Sequence, residues 1–366
     1  MRHVQSLAIL AVAGLATTGS AQSVWTIDPT PIVDVAGALP GGRVNFALAA
    51  GATRLRDGSL LIADRGGSAV HLFDPSGKHI NSDGRAGEGP GEFRTMVWAG
   101  RCGVDTLLVW DPRLRRGTFV GKSGTLARHF QLSEAGVPRA LWFSCAAAGT
   151  IAFLSEPTGR RASPVPNVIQ MEANVVVLDR DGRLVTNHGQ VGGGEWFSPG
   201  RGAFPRPLGT TSSIAMVGSS LVVGTGDSAA VLVIAPNGTR TTVGVSSQRR
   251  APTREEFDEA VQAIASVAPG EVRQAAIDGL SRAPIPALLP PYASVFSDPM
   301  ELLWVQLSPT GAKQVDFVVM QLDGRIVARV RLPRSLTVYE IGRDYVLGAY
   351  ADDDDEMHVA VYRLRR

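Results

Sequence analysis

The sequence has no excess of charge of either sign. Its 366 residues include 36 lysines and arginines and 34 aspartates and glutamates, a formal net charge of only +2. A nucleic-acid-binding surface needs clustered positive charge to neutralise phosphates. This balance argues against nucleic acid as a partner, and we predict none.

Long apolar runs are missing after the first residues. The N-terminal stretch MRHVQSLAILAVAGLATTGSAQS has an early arginine, a short apolar run and then small residues. This pattern is typical of a secretory signal peptide, which we predict at residues 1–21 with cleavage after Ala21. Spanning a membrane takes about 20 apolar residues, and Gln22 offers no cysteine for a lipid anchor. We therefore expect a periplasmic or secreted protein with no membrane span.

Signatures of catalysis are also missing. No G-x-S-x-G sequence occurs, so a hydrolase nucleophile elbow has no support. The six histidines show neither H-x-H nor H-E-x-x-H spacing, which argues against zinc. GKS at 121–123 lacks the first glycine of a P-loop, because Arg116 stands there. Whether the protein is an enzyme stays open.

Cysteine is scarce, with only Cys102 and Cys145 in the chain. Each follows an apolar stretch at a similar place in a repeated unit, so the two thiols can come close. An oxidising compartment permits a disulfide between them. Two buried free thiols are the alternative, because a bridge requires the two Cα atoms to lie within about 7 Å.

Glycine, in contrast, is abundant at 41 residues, accompanied by 23 prolines. Some of these residues stand in the turn of a repeated strand–turn–strand element. The element occurs as VHLFDPSGKHI (70–80), GTFVGKSGTLARHF (117–130), VVVLDRDGRLVTNH (175–188), VLVIAPNGTRTTV (231–243) and FVVMQLDGRIVARV (317–330). Asp, Asn, Pro and Gly reach the backbone angles that a hairpin turn needs. A further strand precedes each hairpin, and YVLGAY (345–350) with HVAVYRL (358–364) forms a sixth unit.

These repeats predict an all-β fold, a six-bladed β-propeller of four-stranded blades. The sixth unit has no outer strand of its own, and the strand-like residues 24–35 can supply it. A ring closed in this way leaves no open sheet edge. We therefore expect residues 22–366 to form a single propeller closed by the N-terminal strand, as a monomer.

Two insertions interrupt the repeats. TREEFDEAVQAIASV begins with Thr253 and Glu256, the spacing of a capping box, and its apolar residues recur at helical intervals. GEVRQAAIDGL follows it. We predict a helical pair at about 253–282, inserted between blades four and five. Residues 155–171 are predicted to be a long loop within blade three.

The stretch GRAGEGPGEF (84–93) raises the question of phosphate binding. Its glycines alternate instead of following the dinucleotide-binding spacing, and no βαβ pattern surrounds it. A similar stretch, HGQVGGGEWF (188–197), follows the third blade. We interpret both stretches as connectors between blades. In them Phe93 and Phe197 anchor the chain between sheets, and the glutamates bond to backbone amides.

The first blade resembles those of a known group of proteins. DGSLLIAD, AVHLFDPSGKHI and GRAGEGPGEF resemble a blade of the NHL-repeat proteins and related bacterial six-bladed propellers. The C-terminal VYEIGRDYVLGAYADDDDEMHVAVYRLRR is similar to the closing blade of such secreted propellers. The resemblance implies the fold but no single activity, because these propellers include binding platforms, sensors and enzymes. Trp110-Asp111 is the only WD dipeptide, which argues against a WD40 array.

Four arginines lie on predicted inner strands or beside them, and they are candidates to line the central channel and bind an anionic ligand: Arg54, Arg101, Arg139 and Arg206. Ion pairs between blades are their alternative role. We predict a non-catalytic, extracytoplasmic binding or scaffold propeller. It would recognise an envelope protein or a small ligand on one face and need no cofactor.

The alternative is a calcium-dependent hydrolase of the six-bladed lactonase type, in which carboxylates and amides hold the metal. Asn45, Asp105 and Asp298 are the nearest candidates for its ligands. DDDDE (352–356) could also attract calcium, although a solvated hairpin tip explains it equally. His71 and His79 flank one turn, where they either meet across the hairpin or stay exposed on outer strands. A sensor domain is a third interpretation.

Overall fold

The computed structural model describes most of the chain, namely residues 23–36, 48–132, 140–155, 159–163, 165–200, 202–266, 270–309 and 313–366. The predicted signal peptide at 1–21 lies outside these residues, as do the candidate site residues Asn45 and Arg139. No helix in the described ranges is long and apolar enough to cross a membrane.

The first part of the described chain consists of short strands. They are β1 (Ser23–Ile27), β2 (Val33–Ala36), β3 (Ala49–Arg54), β4 (Leu60–Asp64), β5 (Ala69–Phe73), β6 (His79–Asp83), β7 (Arg85–Ala86), β8 (Glu92–Phe93), β9 (Trp98–Arg101), β10 (Leu107–Asp111), β11 (Arg116–Val120) and β12 (Leu126–Gln131).

Longer strands and two helices follow. They are β13 (Ala140–Cys145), β14 (Ile151–Ser155), β15 (Gly159–Ala162), β16 (Val168–Leu178), β17 (Leu184–Gly200), β18 (Gly202–Pro205), β19 (Ser213–Val217), β20 (Ser220–Gly224), β21 (Ala230–Ile234), β22 (Arg240–Gly244), α1 (Arg254–Ser266), α2 (Gly270–Leu280), β23 (Tyr292–Ser297), β24 (Leu303–Leu307), β25 (Gln314–Met320), β26 (Ile326–Pro333), β27 (Thr337–Ile341), β28 (Tyr345–Ala351) and β29 (Met357–Arg365).

Hairpins form at the five predicted turns, and local hydrogen bonds explain why. Between β5 and β6, Asp74 Oδ1 accepts the amides of Ser76 and Lys78 at 2.9 and 3.0 Å. Gly77 follows with a φ of +85°, a backbone angle that favours glycine. Antiparallel pairs β11–β12, β16–β17, β21–β22 and β25–β26 form the other four hairpins.

The hairpins extend into larger sheets. Three sheets have four strands each, in the orders β3-β4-β5-β6, β9-β10-β11-β12 and β19-β20-β21-β22. A fourth follows the order β13-β14-β16-β17-β18, with β15 beside β16. The last runs β23-β24-β25-β26-β1-β29-β28-β27. In it β1 lies parallel to β26, and β2 pairs antiparallel with β29 at the opposite end of the chain.

The innermost strands form a closed circuit. β3 contacts β9, β9 contacts β13, β13 contacts β19, β19 contacts β23, β23 contacts β27, and β27 contacts β3. Gly51 shows how closely β3 approaches β9, because a Cβ there would lie 2.0 Å from the carbonyl oxygen of Ala99. Sheets arranged around inner strands in this way form a β-propeller.

The apolar core lies between successive sheets. All five residues of β4 are buried, so both of its faces are covered. Leu60 and Ile62 pack with Val359 of the last strand, whereas Leu61 and Ala63 pack with Val109 of the next sheet. Burying one such aliphatic side chain stabilises the fold by about 1.5–3 kcal/mol. Each sheet therefore depends on a neighbour at both faces.

The two helices lie within residues 253–282, where the sequence pattern predicts them. Thr253 and Glu256 form the predicted capping box: Glu256 Oε2 accepts the Thr253 amide at 2.9 Å, and Thr253 Oγ1 accepts the Glu256 amide at 3.1 Å. Phe257 and Val261 pack in one apolar cluster with Phe197 of β17. The helical pair is thereby fixed on the long β16–β17 hairpin.

Two stretches predicted to be loops contain strands. Residues 155–171 contain β15 and the start of β16, and 188–197 lie within β17. The Val168↔Phe197 pair shows that the β16–β17 hairpin continues far past its predicted end. The connector interpretation is therefore wrong for 188–197, because its backbone groups pair with β16 and so satisfy their hydrogen-bonding capacity within a strand.

The stretch 84–93 does have the predicted connector role. Arg116 Nη1 donates to the carbonyl oxygens of Glu88 and Gly89 at 3.3 and 3.0 Å, and Nη2 donates to that of Glu92. Glu92 Oε2 accepts the Gly89 amide at 2.8 Å. Phe93 is 1% exposed and packs between the first and second sheets. The polar groups of this stretch therefore bind the protein itself.

Glu256 should make the stability of the fold depend on pH. The hydrogen bond from Arg250 lowers the pKa of Glu256 to about 2, against the effect of burial, which raises it. Because this folded-state pKa lies below the ordinary value of 4.5, the stabilisation is present above that value and is lost as the pH falls towards 2. We expect the melting temperature of Glu256→Gln to fall less than that of the wild type over this range.

Circular dichroism melts across this range of pH check the expectation. Glu255→Gln is the matched control, because Glu255 is an exposed carboxylate in the same helical turn. It should follow the wild type. An identical pH dependence for Glu256→Gln and the wild type would contradict the role of Glu256.

Candidate functional site

Polar side chains from three inner strands and a neighbouring strand meet around one carboxylate. Glu340 of β27 accepts a hydrogen bond from Arg101 Nη2 of β9 at 2.9 Å. The hydroxyls of Thr53 in β3 and Tyr345 in β28 also donate to this carboxylate. We call Thr53, Arg54, Arg101, Glu340 and Tyr345 the axial cluster, because the strands that carry it are in or beside the inner circuit.

The cluster forms where inner strands end. β3 ends at Arg54 and β9 ends at Arg101, and Arg101 donates to the carbonyl oxygen of Arg54. The Arg54 guanidinium lies 4.9 Å from the centre of the Tyr345 ring, within the range of a cation–π contact. The structure thus brings together two of the four predicted channel arginines.

Burial and charge decide the protonation of the cluster. Burial lowers the pKa of Arg101, but the Glu340 carboxylate outweighs this effect and raises the pKa above its ordinary value. Burial also raises the pKa of Tyr345, and Glu340 adds to the increase. At neutral pH Arg101 is therefore a cation, and Tyr345 is a neutral phenol that donates its hydrogen bond.

Arg54 is the member of the cluster with unused hydrogen-bonding capacity. In the described part of the chain, its Nε atom is buried and has no hydrogen-bond partner. The one carboxylate of the cluster, Glu340, is paired with Arg101 at 2.9 Å. The cluster therefore holds two guanidinium groups for one carboxylate, an arrangement that favours an additional anion.

Trp142 is exposed although it lies on an inner strand. It belongs to β13, which contacts β9 and β19, and it is 52% exposed. An exposed indole offers a flat apolar face for stacking. The sequence around Trp142 does not distinguish it from Trp110, which is fully buried.

The sequence also did not identify Glu340 and Tyr345 as site residues, because their partners are far away in the chain.

Arg206 does not join the axial cluster. It is 7% exposed, and its Nη1 atom lies 3.2 Å from Glu195 Oε2. Its Nη2 atom donates to the carbonyl oxygen of Pro284 at 2.8 Å. These bonds tie the β17–β18 region to the segment after α2. Arg139, the fourth predicted arginine, lies outside the described residues.

The carboxylates predicted as metal ligands are occupied by protein donors. Asp105 Oδ1 accepts the amide of Arg56 at 2.8 Å, and Oδ2 accepts its Nε at 3.1 Å. Asp298 Oδ2 accepts Trp304 Nε1 at 3.0 Å and Arg366 Nη2 at 2.8 Å. The two carboxylates follow different inner strands, β9 and β23.

Three potential ligands do meet at another place. Among the described residues, one group of histidines and acids, Asp352, Glu356 and His358, has ligand atoms within 4.8 Å of one another. Asp352 Oδ1 accepts the Glu356 amide at 2.8 Å, and His358 Nδ1 lies 2.9 Å from Asp34 Oδ1. Burial lowers the pKa of His358, but the carboxylates of Asp34 and Asp352 together outweigh burial and raise the pKa. The group lies at the turn between β28 and β29.

Cys102 and Cys145 form a disulfide. Their Cα atoms are 5.0 Å apart, and the bond joins the residue after β9 to the last residue of β13. Cys102 follows Arg101 directly in the chain. The disulfide therefore ties two neighbouring inner strands together beside the axial cluster.

The fold is similar to that of solved structures. A member of the DUF4221 family from Bacteroides vulgatus has a TM-score of 0.55 at 12% sequence identity, covering 94% of this chain and 100% of that chain. A protein of unknown function from Bacteroides thetaiotaomicron has a TM-score of 0.49 at 11% identity, over 92% and 75% of the two chains. A streptogramin B lyase has 0.45 at 10%, over 91% and 97%.

The likeness to the DUF4221 protein concerns the fold alone, because the sequence identity is only 12%. No family model matches the chain, and no curated protein matches it. The resemblance to NHL-repeat proteins therefore stays a prediction.

Reduction of the disulfide should destabilise the protein. The bridge spans 43 residues, and closing a loop of this length stabilises a fold by about 4 kcal/mol in the chain-entropy model. We expect dithiothreitol to lower the melting temperature of the wild type. Cys102→Ser/Cys145→Ser should melt at the lowered temperature with or without the reductant. A wild type that is insensitive to complete reduction, verified by thiol titration, would contradict this role.

Loss of the Glu340 carboxylate should destabilise the axial cluster. Glu340→Ala leaves Arg101 and two hydroxyls without their common acceptor, and hydrogen bonds to a charged group contribute about 1.5–3 kcal/mol each. We expect a loss of at least about 2 kcal/mol in urea unfolding. Asp316→Ala is the control, because its partner Arg331 is 64% exposed and such pairs contribute below about 1 kcal/mol. Equal losses in the two variants would contradict the prediction.

Proposed function

We propose that this protein is an extracytoplasmic, six-bladed β-propeller that binds an anionic ligand at the axial cluster without catalysing a reaction there. The signal peptide at 1–21 would direct it to the periplasm or outside the cell. Residues 22–366 would form the propeller, with the helical pair inserted between blades four and five. The pairing of β2 with β29 supports closure of the ring by the N-terminal strand.

The contacts between inner strands support a count of six blades. The circuit runs through β3, β9, β13, β19, β23 and β27, and each of these strands begins or ends a sheet in the hydrogen-bonding order. β23 and β27 stand at opposite ends of the largest sheet. β1 lies in the middle of this sheet, between β26 and β29. In this interpretation the largest sheet is two blades joined by β1.

One observation carries the proposed binding function: Arg54 has a buried Nε without an acceptor among the described residues. Leaving a buried donor unsatisfied costs about 1–3 kcal/mol. A carboxylate, sulfate or phosphate that bonds to Arg54 would recover that energy. Arg101 beside it adds a second positive charge, whereas Glu340 neutralises only one of the two.

Trp142 indicates the other part of the ligand. Its indole is 52% exposed on β13, an inner strand that contacts β9, the strand of Arg101. A planar apolar group can stack on such a ring. We therefore infer a small ligand, or a side chain of an envelope protein, that combines an anionic group with an apolar plane.

A calcium-dependent hydrolase is the alternative function. The group Asp352, Glu356 and His358 supports it, because its ligand atoms lie within 4.8 Å of one another. Calcium is bound by about six to eight oxygen ligands. The group of Asp352, Glu356 and His358 provides only two carboxylates and an imidazole. Calcium therefore ranks behind the anionic ligand.

Thermal unfolding with an aromatic anion tests the proposal. Benzoate and phenylphosphate should raise the melting temperature of the wild type, whereas the neutral benzamide should not, because a ligand that binds only the folded state stabilises it. Arg54→Gln should abolish the shift. Arg56→Gln is the matched control, because Arg56 is 76% exposed and pairs with Asp105, and it should keep the shift.

Quenching of tryptophan fluorescence provides a second measurement, which Trp142→Phe should reduce. No shift with either anion, or an equal shift in Arg54→Gln, would refute the axial site. In the same assay, a melting temperature that falls with EDTA and recovers with calcium would favour the hydrolase.

A further inference from the structure

A serine hydroxyl of the first sheet lies between two imidazoles. Ser82 Oγ is 2.7 Å from His71 Nδ1 and 2.8 Å from His79 Nε2. The register of the β5–β6 hairpin explains this meeting, because His71 and Ser82 are cross-strand partners. Ser82 itself is exposed. Of the two alternatives for His71 and His79, the meeting across the hairpin is the one that occurs, with ring centres 6.0 Å apart.

A buried carboxylate stands behind His71. Asp64 Oδ2 lies 3.6 Å from His71 Nε2, and the two residues are only 1% and 7% exposed. The amides of Gly66 and Gly67 donate to Asp64 at 2.8 Å each and hold the carboxylate in place. A separation of 3.6 Å is longer than a hydrogen bond, but such contacts often tighten only when a substrate binds.

This order of contacts matches the requirements of an activated serine. An imidazole that accepts the serine proton at Nδ1 must carry its own proton at Nε2, the atom that faces Asp64. A carboxylate at that position favours the required tautomer and stabilises the imidazolium that forms. Such a constellation is recognised by geometry and not by a sequence motif. The missing G-x-S-x-G sequence therefore does not exclude it.

We propose that Ser82 is a nucleophile that takes an acyl group from small esters, with His71 as its base and Asp64 as a positioning residue. Ser82 Oγ forms a bond to the acyl carbon, and the bond from that carbon to the alkoxide breaks. The serine proton passes to His71 Nδ1 and then to the departing alkoxide. Water next adds to the acyl carbon and gives a proton to His71 Nδ1. The bond to Oγ breaks, Oγ takes that proton back, and a carboxylic acid leaves.

The place of Ser82 in the sheet explains the choice of small esters. β6 is the last strand in the order β3-β4-β5-β6, so backbone amides on its open side can approach a carbonyl oxygen. An exposed hydroxyl on an edge strand has few surrounding residues that could bind a large substrate. We therefore expect acylation that saturates only at high ester concentration.

The first test is covalent labelling of the purified protein with a fluorophosphonate probe. Mass spectrometry should place the label on Ser82, and Ser82→Ala should abolish it. Ser76→Ala is the matched control, because Ser76 is an exposed serine of the same hairpin whose hydroxyl donates to Asp74 at 2.6 Å. It should label like the wild type. A folded wild type without label, or equal labelling of Ser82→Ala, would overturn the proposal.

Kinetics with 4-nitrophenyl acetate distinguish the role of His71 as the base from the role of Asp64 as a positioning residue. His71→Gln should lower kcat by about 100-fold or more, the range of general-base catalysis. Asp64→Asn should lower kcat with little change in KM and alter the pH profile of acylation, which a merely structural change would not do. Melting curves verify that each variant is folded. Unchanged kcat in a folded His71→Gln variant would also overturn the proposal.

Discussion

The structure depends on one constraint: the central strands of its sheets are apolar on both faces. Strands such as β4, β10 and β14 have all five residues buried. A sheet of this kind cannot be stable in water unless another element covers each face. Each sheet here finds that cover in the sheets before and after it. This mutual cover leads to the closed circuit of inner strands and explains why the two ends of the chain pair in one sheet.

The same constraint creates the axial cluster. β3 and β9 approach closely, and the polar side chains of the cluster lie at or next to the ends of their strands. Arg54 and Arg101 stand at these ends, and Glu340 reaches them from the strand that closes the circuit. The disulfide beside Arg101 holds the neighbouring strand in place. The charges of the cluster lie in a partly buried environment, where electrostatic interactions are stronger than in water.

The two proposed sites use opposite edges of one sheet. Arg54 lies on β3, the first strand of the sheet, and Ser82 lies on β6, the last. Three strand spacings separate these strands, or about 14 Å. The axial cluster has two guanidiniums and a stacked phenol, which suit binding. The outer hairpin has a hydroxyl, two imidazoles and a carboxylate, which suit proton transfer. The two sets share no residue, so the two proposed activities can be tested independently of each other.

Much of the fold follows from local sequence. The five hairpins, the capping box at Thr253 and the connector role of 84–93 were predictable, because the residues that determine them lie within a few positions of one another. Turn residues such as Asp74 and Gly77 act through bonds to their own neighbours. The wrong prediction at 188–197 has the converse reason: its glycines look like a loop, but pairing with β16 makes them part of a strand.

The candidate sites were only partly predictable. The strand repeats, the turns and the helices can be read from the sequence, because they depend on neighbouring residues, and Arg54 and Arg101 are recognisable there as channel candidates. Their meeting with Glu340 and Tyr345 appears only in the folded structure, because these residues are more than 200 positions away (239 between Arg101 and Glu340). The folded structure likewise brings Arg366 to Asp298, 68 residues away. Contacts of this length depend on how whole sheets pack, and no local pattern records that packing.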